Sequence, residues 1–65
     1  MDTHNLKEDD VVVICAGDDW PEHLFKVWEV CDDFITGYAT SGPLNGVYGE
    51  PDFDLILRVH SRSQG

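Results

Sequence analysis

Basic side chains are scarce in this sequence. Four Lys and Arg stand against thirteen Asp and Glu in 65 residues, a net charge of −9. Such a chain repels phosphate backbones, so direct nucleic-acid binding is not expected and a basic protein is the charge-compatible partner. Long hydrophobic runs are missing too. The longest, Val11 to Ala16, falls far short of the ~20 residues that cross a bilayer, so no membrane partner is expected. The opening MDTHNLKEDD has no basic start followed by an apolar stretch, so no signal peptide is expected and the cytoplasm is the expected compartment. There Cys15 and Cys31, the two cysteines of the chain, are expected to be reduced thiols.

Motifs for metal or catalysis are also lacking. No C-x-x-C or H-x-x-x-H spacing occurs, and His4, His23 and His60 are scattered, so no structural zinc is expected. The D-x-D-x-D-G spacing of a calcium loop is absent. Cys31 and His23 can be written as a dyad, but no orienting group or oxyanion hole accompanies them. Ser41-Gly42 is not a nucleophile elbow. The chain is therefore expected to be non-catalytic, with no metal and no cofactor.

What the sequence has in quantity is short β-rich runs punctuated by turn residues. VVVICA, apolar on both alternating faces, suggests an interior strand or one at a partner surface, and Gly17 ends it. DDWPEH is a polar loop. HLFKVWEVC reads as a strand, with a short helix or 3₁₀ turn near residues 21–24 as an alternative, because Pro21 and Glu22 suit a helix start. Asp32-Asp33 is expected to close a tight hairpin to FITGYAT, where Gly37 marks a bend or a close backbone approach. Asn45-Gly46 and Gly49-Glu50-Pro51-Asp52 are expected turns around a very short strand at Val47-Tyr48. DFDLILRVH alternates Phe53, Leu55, Leu57 and Val59 against Asp54, Ile56, Arg58 and His60, which predicts a last strand with one buried face.

The expected fold is all-β: a single small domain over residues 1–65, ordered from about 9 to 60, with flexible tails at 1–7 and 61–65. About five short antiparallel strands would run as a meander. With the longer polar loop DDWPEH after its first strand and tight hairpins at Asp32-Asp33 and Asn45-Gly46, the outline over roughly residues 9–60 resembles the SH3-like small barrels. The ALYDY-type signature of the peptide-binding members is absent, as is their tryptophan pair, so the resemblance is architectural and implies no particular ligand. Sm-like or OB-like barrels, or a β-rich α+β fold if residues 21–31 are helical, are the alternatives.

Two groups of residues invite a functional reading. Turn-bound acids are expected at two poles of the sheet: Glu8, Asp9, Asp10, Asp32, Asp33, Glu50, Asp52 and Asp54 at one, with Asp18, Asp19 and Glu22 at the other. Solvated turns explain most of them. The aromatics are the second group. Phe25, Phe34 and Phe53 are expected in the core, whereas Trp20 sits in a polar loop, as a lid over the barrel end or as an exposed anchor. Aromatic side chains with polar rims are the stuff of interface hot spots, and beside carboxylates they suit an arginine- or lysine-bearing ligand. Asp18, Asp19, Trp20, Glu22, Trp28, Tyr38 and Tyr48 are accordingly the candidate partner-binding residues. The expected role is an acidic interaction module or accessory subunit that binds a protein, with a weak edge-strand homodimer possible. The alternative is an acidic nucleic-acid mimic that blocks a basic protein. Pairing of the first two strands about the 17–23 loop would place Cys15 opposite Phe25, far from Cys31, so no disulfide is expected.

Overall fold

The structure, a computed structural model, describes residues 6–62. Five antiparallel strands form one sheet: β1 Val11–Ile14, β2 His23–Val30, β3 Ile35–Ala39, β4 Tyr48–Gly49 and β5 Ile56–Ser61. Their spatial order is β4-β3-β2-β1-β5, so β1 to β4 meander and β5 returns to β1. The fold is small and all-β. No helix among the described residues is long and apolar enough to cross a membrane.

The interior place of β1 explains its composition. Val12 and Ile14 join Phe25, Val27, Ile35 and Ala39 in the core. Val13, one residue out of phase, is buried on the other face, in register with Leu24 and Arg58. Phe53, Leu55, Ile56 and Val59 pack against that same core. Residues of β3 and β5, from opposite flanks of the β2–β1 pair, thus share one interior, which means that the sheet is rolled rather than flat. Full burial of each such side chain contributes on the order of 1.5–3 kcal/mol, a large share in so short a chain.

The segment 21–24 forms no helix: His23 and Leu24 already belong to β2. The single 3₁₀ turn among the described residues lies at Phe53–Leu55 instead, where the Leu55 amide donates to the Asp52 carbonyl at 3.0 Å. It delays the last strand to Ile56 and changes its phase. Leu55 and Ile56 are both half-buried neighbours of the core, and a register irregularity against β1 leaves Leu57 without a paired residue and exposed. The expected inward face of Phe53, Leu55, Leu57 and Val59 therefore loses Leu57 and gains Ile56.

The β1–β2 register also differs from expectation. Pairs run from Val11↔Lys26 to Ile14↔His23. The Gly17 amide donates to the Trp20 carbonyl at 2.8 Å, which tightens the turn around Asp18-Asp19 and moves the pairing by three residues. Cys15 lies beyond the last pair, and its amide donates to the Leu55 carbonyl. Both thiols are free and half-buried.

Leu6 belongs to the core, Ser61 to β5, and Arg62 pairs with Asp10; residues 1–5, with His4, and 63–65 lie outside the described residues. Asp10 itself is not a solvated turn residue but 0% exposed. Its Oδ2 accepts the Lys7 amide at 3.1 Å and faces Arg62 Nη1 at 3.4 Å. Asp9 beside it adopts φ 75°, the left-handed conformation that Asp tolerates better than most residues. The Asp9 amide donates to the Val27 carbonyl and the Val27 amide to the Asp10 carbonyl, each at 2.8 Å. Two residues thus oppose one, a β-bulge at the mouth of β1.

A candidate docking surface on the outer sheet face

The sequence FITGY places Gly37 in the middle of β3, where a Cβ would lie 2.0 Å from the Lys26 carbonyl oxygen and 2.9 Å from the Phe25 ring. Only glycine admits that approach, as its mid-strand position suggests. Opposite it β2 is irregular: Val27 pairs with Gly37, but Glu29 pairs with Thr36, so Trp28 is the extra residue. Such bulges re-aim side chains. Here Trp28 and Glu29 come to line one shallow hollow with Thr36 and Tyr48.

The result is a row of three aromatics across adjacent strands. Trp28 of β2 lies 5.9 Å from Tyr38 of β3, and Tyr38 lies 5.7 Å from Tyr48 of β4 in an edge-to-face arrangement. All three rings are accessible, at 53%, 39% and 50% of full exposure. In a sheet whose other large aromatic, Phe25, is buried, this outward concentration is what distinguishes the surface. The edge-to-face Tyr38–Tyr48 pair gains about 0.5–1.5 kcal/mol beyond burial, and the Trp28 ring is tilted by 31° against Tyr38.

Carboxylates border the row. The Tyr48 hydroxyl donates to Glu50 Oε2 at 2.8 Å, and this hydrogen bond to the carboxylate raises the phenol pKa above its ordinary value of 10.0. Glu29 adjoins Trp28 and Tyr48. On the far side, Glu8, Asp9 and Lys26 adjoin Trp28 and Tyr38, with Lys26 Nζ 3.6 Å from Asp9 Oδ1. Both partners of that ion pair are more than half exposed, so it adds little stability.

Of the seven candidate residues, the structure brings Trp28, Tyr38 and Tyr48 together. Trp20 stands apart, folded back as a half-buried lid. Its Nε1–H donates to the Cys15 carbonyl at 3.3 Å, and its ring covers Gly17, where a Cβ would lie 2.8 Å from the indole. Asp18, Asp19 and Glu22 are exposed on the same loop, Glu22 facing Arg58 at 3.6 Å. Glu29 and Glu50, which border the row, were not among the candidates. Glu50 could have been found from its place two residues after Tyr48, whereas Glu29 arrives only through the bulge.

The acids do not gather at one pole. Asp33, Asp52 and Asp54 share a hollow beside Phe53, joined by the Phe34↔Asp52 bridge. Glu8 and Asp9 instead lie beside the middle of β2, Asp10 is buried, and Glu50 serves Tyr48. Among the described residues no group of three or more His, Cys, Asp or Glu side chains is placed to hold a metal ion. His23 opens β2 and Cys31 follows its last residue, Val30, so the length of an eight-residue strand separates them, too far for a dyad. Phe25 belongs to the core and Phe53, half-buried, packs against it, whereas Phe34 is half-buried and is not among the residues packed there.

No family model matches the chain, and neither a curated protein nor a solved structure shows significant similarity to it.

Proposed function

We propose that this chain is a small non-catalytic interaction domain, an SH3-like barrel acting as a module or accessory subunit, that binds a basic segment of a partner protein. The observation that carries the reading is the accessible Trp28–Tyr38–Tyr48 row with Glu29 and Glu50 at its border. Ring faces carry negative potential and attract cations within about 6 Å. An arginine is the better occupant: its planar guanidinium stacks on rings and bonds a carboxylate through two donors, whereas lysine presents a point charge. The net charge of −9 draws such a segment in from solution. The cytoplasm, where Cys15 and Cys31 remain thiols, is the compartment this reading adopts.

Calorimetric titration of arginine-bearing, lysine-bearing and glutamate-bearing peptides tests it. Arginine should bind best and glutamate not at all, with affinity that falls as salt rises. Equal binding of all three would refute the reading. The dispersal of exposed acids over several faces favours a second function, mimicry of a nucleic-acid backbone toward a basic protein. A mimic would keep its affinity in Trp28→Ala, because only its charges are read.

A further inference from the structure

Tyr48 belongs to two surfaces. It closes the aromatic row, and it also walls an open groove of about 300 Å³ at the end of the sheet where the β1–β2 and β3–β4 connections lie. Trp20, Leu44, Val47 and Pro51 form the other banks, and the floor is the core itself, at Ile14 and Phe25. A volume at the small end of ligand pockets suits one side chain rather than a cofactor.

The polar groups that reach the groove are few. His23 Nδ1 lies 2.8 Å from the Pro21 carbonyl, which only accepts, so Nδ1 is the donor and is already engaged. Glu50, the other polar member, is an acceptor held at the rim by the Tyr48 hydroxyl. Asp18, Asp19 and Glu22 are exposed on the loop that supplies Trp20 but do not line the groove. An apolar trough edged by an acceptor and negative charge rejects acidic ligands. It accepts an apolar side chain on a backbone whose amides and neighbouring cations face the rim.

We propose that the groove receives an aliphatic anchor, of leucine size, from the same basic segment that lies on the row. The partner motif is then an arginine over Trp28 and Tyr38 with an aliphatic residue a few positions away, the two halves meeting at Tyr48. This inference rests on the reading of the row as a basic-segment site. It also gives Trp20 a role: pinned by Cys15 and supported on Gly17, it is a fixed wall rather than a free anchor.

The test uses fluorescence anisotropy with a peptide set in which one arginine is held fixed and a single leucine is moved along an otherwise Gly-Ser chain. A leucine-free peptide is the reference. One spacing should bind about ten- to a hundredfold more tightly than the reference, the range expected for burying one leucine. Val47→Glu, at an exposed position where folding is not at stake, should abolish that gain without weakening the leucine-free peptide; Leu44→Ala should reduce it. Arginine-dependent binding indifferent to leucine at every spacing overturns the groove inference alone. Leucine-dependent binding that ignores the arginine, or no binding by any member, overturns the reading of the row as well. A dimer in sedimentation that Val47→Glu dissociates also overturns the inference, because a second copy of the chain is then the occupant.

Discussion

Replacing Gly37 by alanine is the sharpest structural test of how the aromatic row is built. The added Cβ would lie 2.0 Å from the Lys26 carbonyl oxygen and 2.9 Å from a Phe25 ring carbon, and the first neighbour is backbone that cannot swing away. The strands must separate or β3 must slide. Overpacking of this kind costs ~1–3 kcal/mol, from which about 0.4–1 kcal/mol is returned by the stiffer unfolded chain. A net loss of about 1–2 kcal/mol is a large part of the ~3–5 kcal/mol that a core of this size supplies. With a urea slope of ~1 kcal/mol per molar for a small domain, the unfolding midpoint should fall by about 1–2 M. The near-UV circular dichroism band should weaken as Tyr38 leaves Trp28. Gly46→Ala is the control: its Cβ meets nothing within 4 Å, but φ is 88°, so it should cost about 1 kcal/mol without changing the aromatic signal. An unchanged midpoint and aromatic band in Gly37→Ala would refute the tight approach of β2 and β3.

Three further outcomes follow from local features. Asp9→Gly should raise stability by about 0.5–1 kcal/mol, because glycine accepts φ 75° freely and the Lys26 ion pair lost with it is exposed; urea unfolding measures the gain. Asp10→Ala should cost about 1.5–3 kcal/mol in the same assay, the range for hydrogen bonds to a charged group, since the Lys7 amide and Arg62 lose a shared acceptor. In alkaline ultraviolet titration Tyr48 should ionise above 10.0, and Glu50→Gln should bring it back toward that value. The linked stability runs the same way: a phenol held neutral in the fold contributes below its unfolded pKa, and that contribution is lost as pH rises through the raised value.

Where the sequence speaks through a two-residue period, the strands follow it. Val12 and Ile14 face the core, and FITGYAT sends Ile35, Gly37 and Ala39 inward with Tyr38 and Thr40 outward. Gly37 was legible because an isolated glycine inside a strand marks a bulge, a bend or a close approach of another backbone. The rest depended on places where the period breaks. A bulge at Trp28 sets Glu29 beside the aromatic row, another at Asp9 leads Asp10 into the interior, and a 3₁₀ turn after Pro51 exposes Leu57. Asn45-Gly46 illustrates the same limit. The pair does occupy a turn, with the Val47 amide donating to the Leu44 carbonyl at 2.8 Å, but inside a longer loop, since the Gly46 amide reaches back to Ala39. Each of these breaks is decided by the partner strand, which no local pattern encodes.

Chemical-shift mapping tests the central claim most directly. An ¹⁵N-labelled protein titrated with an arginine-bearing peptide should show its largest shifts at the Trp28 indole N–H and at the amides of Glu29, Tyr38, Tyr48 and Glu50. Trp28→Ala should weaken binding about tenfold, near the ~1–2 kcal/mol of a cation–π contact. Shifts concentrated at Asp33, Asp52 and Asp54 instead, with affinity unchanged in Trp28→Ala, would contradict a docking site on the aromatic row.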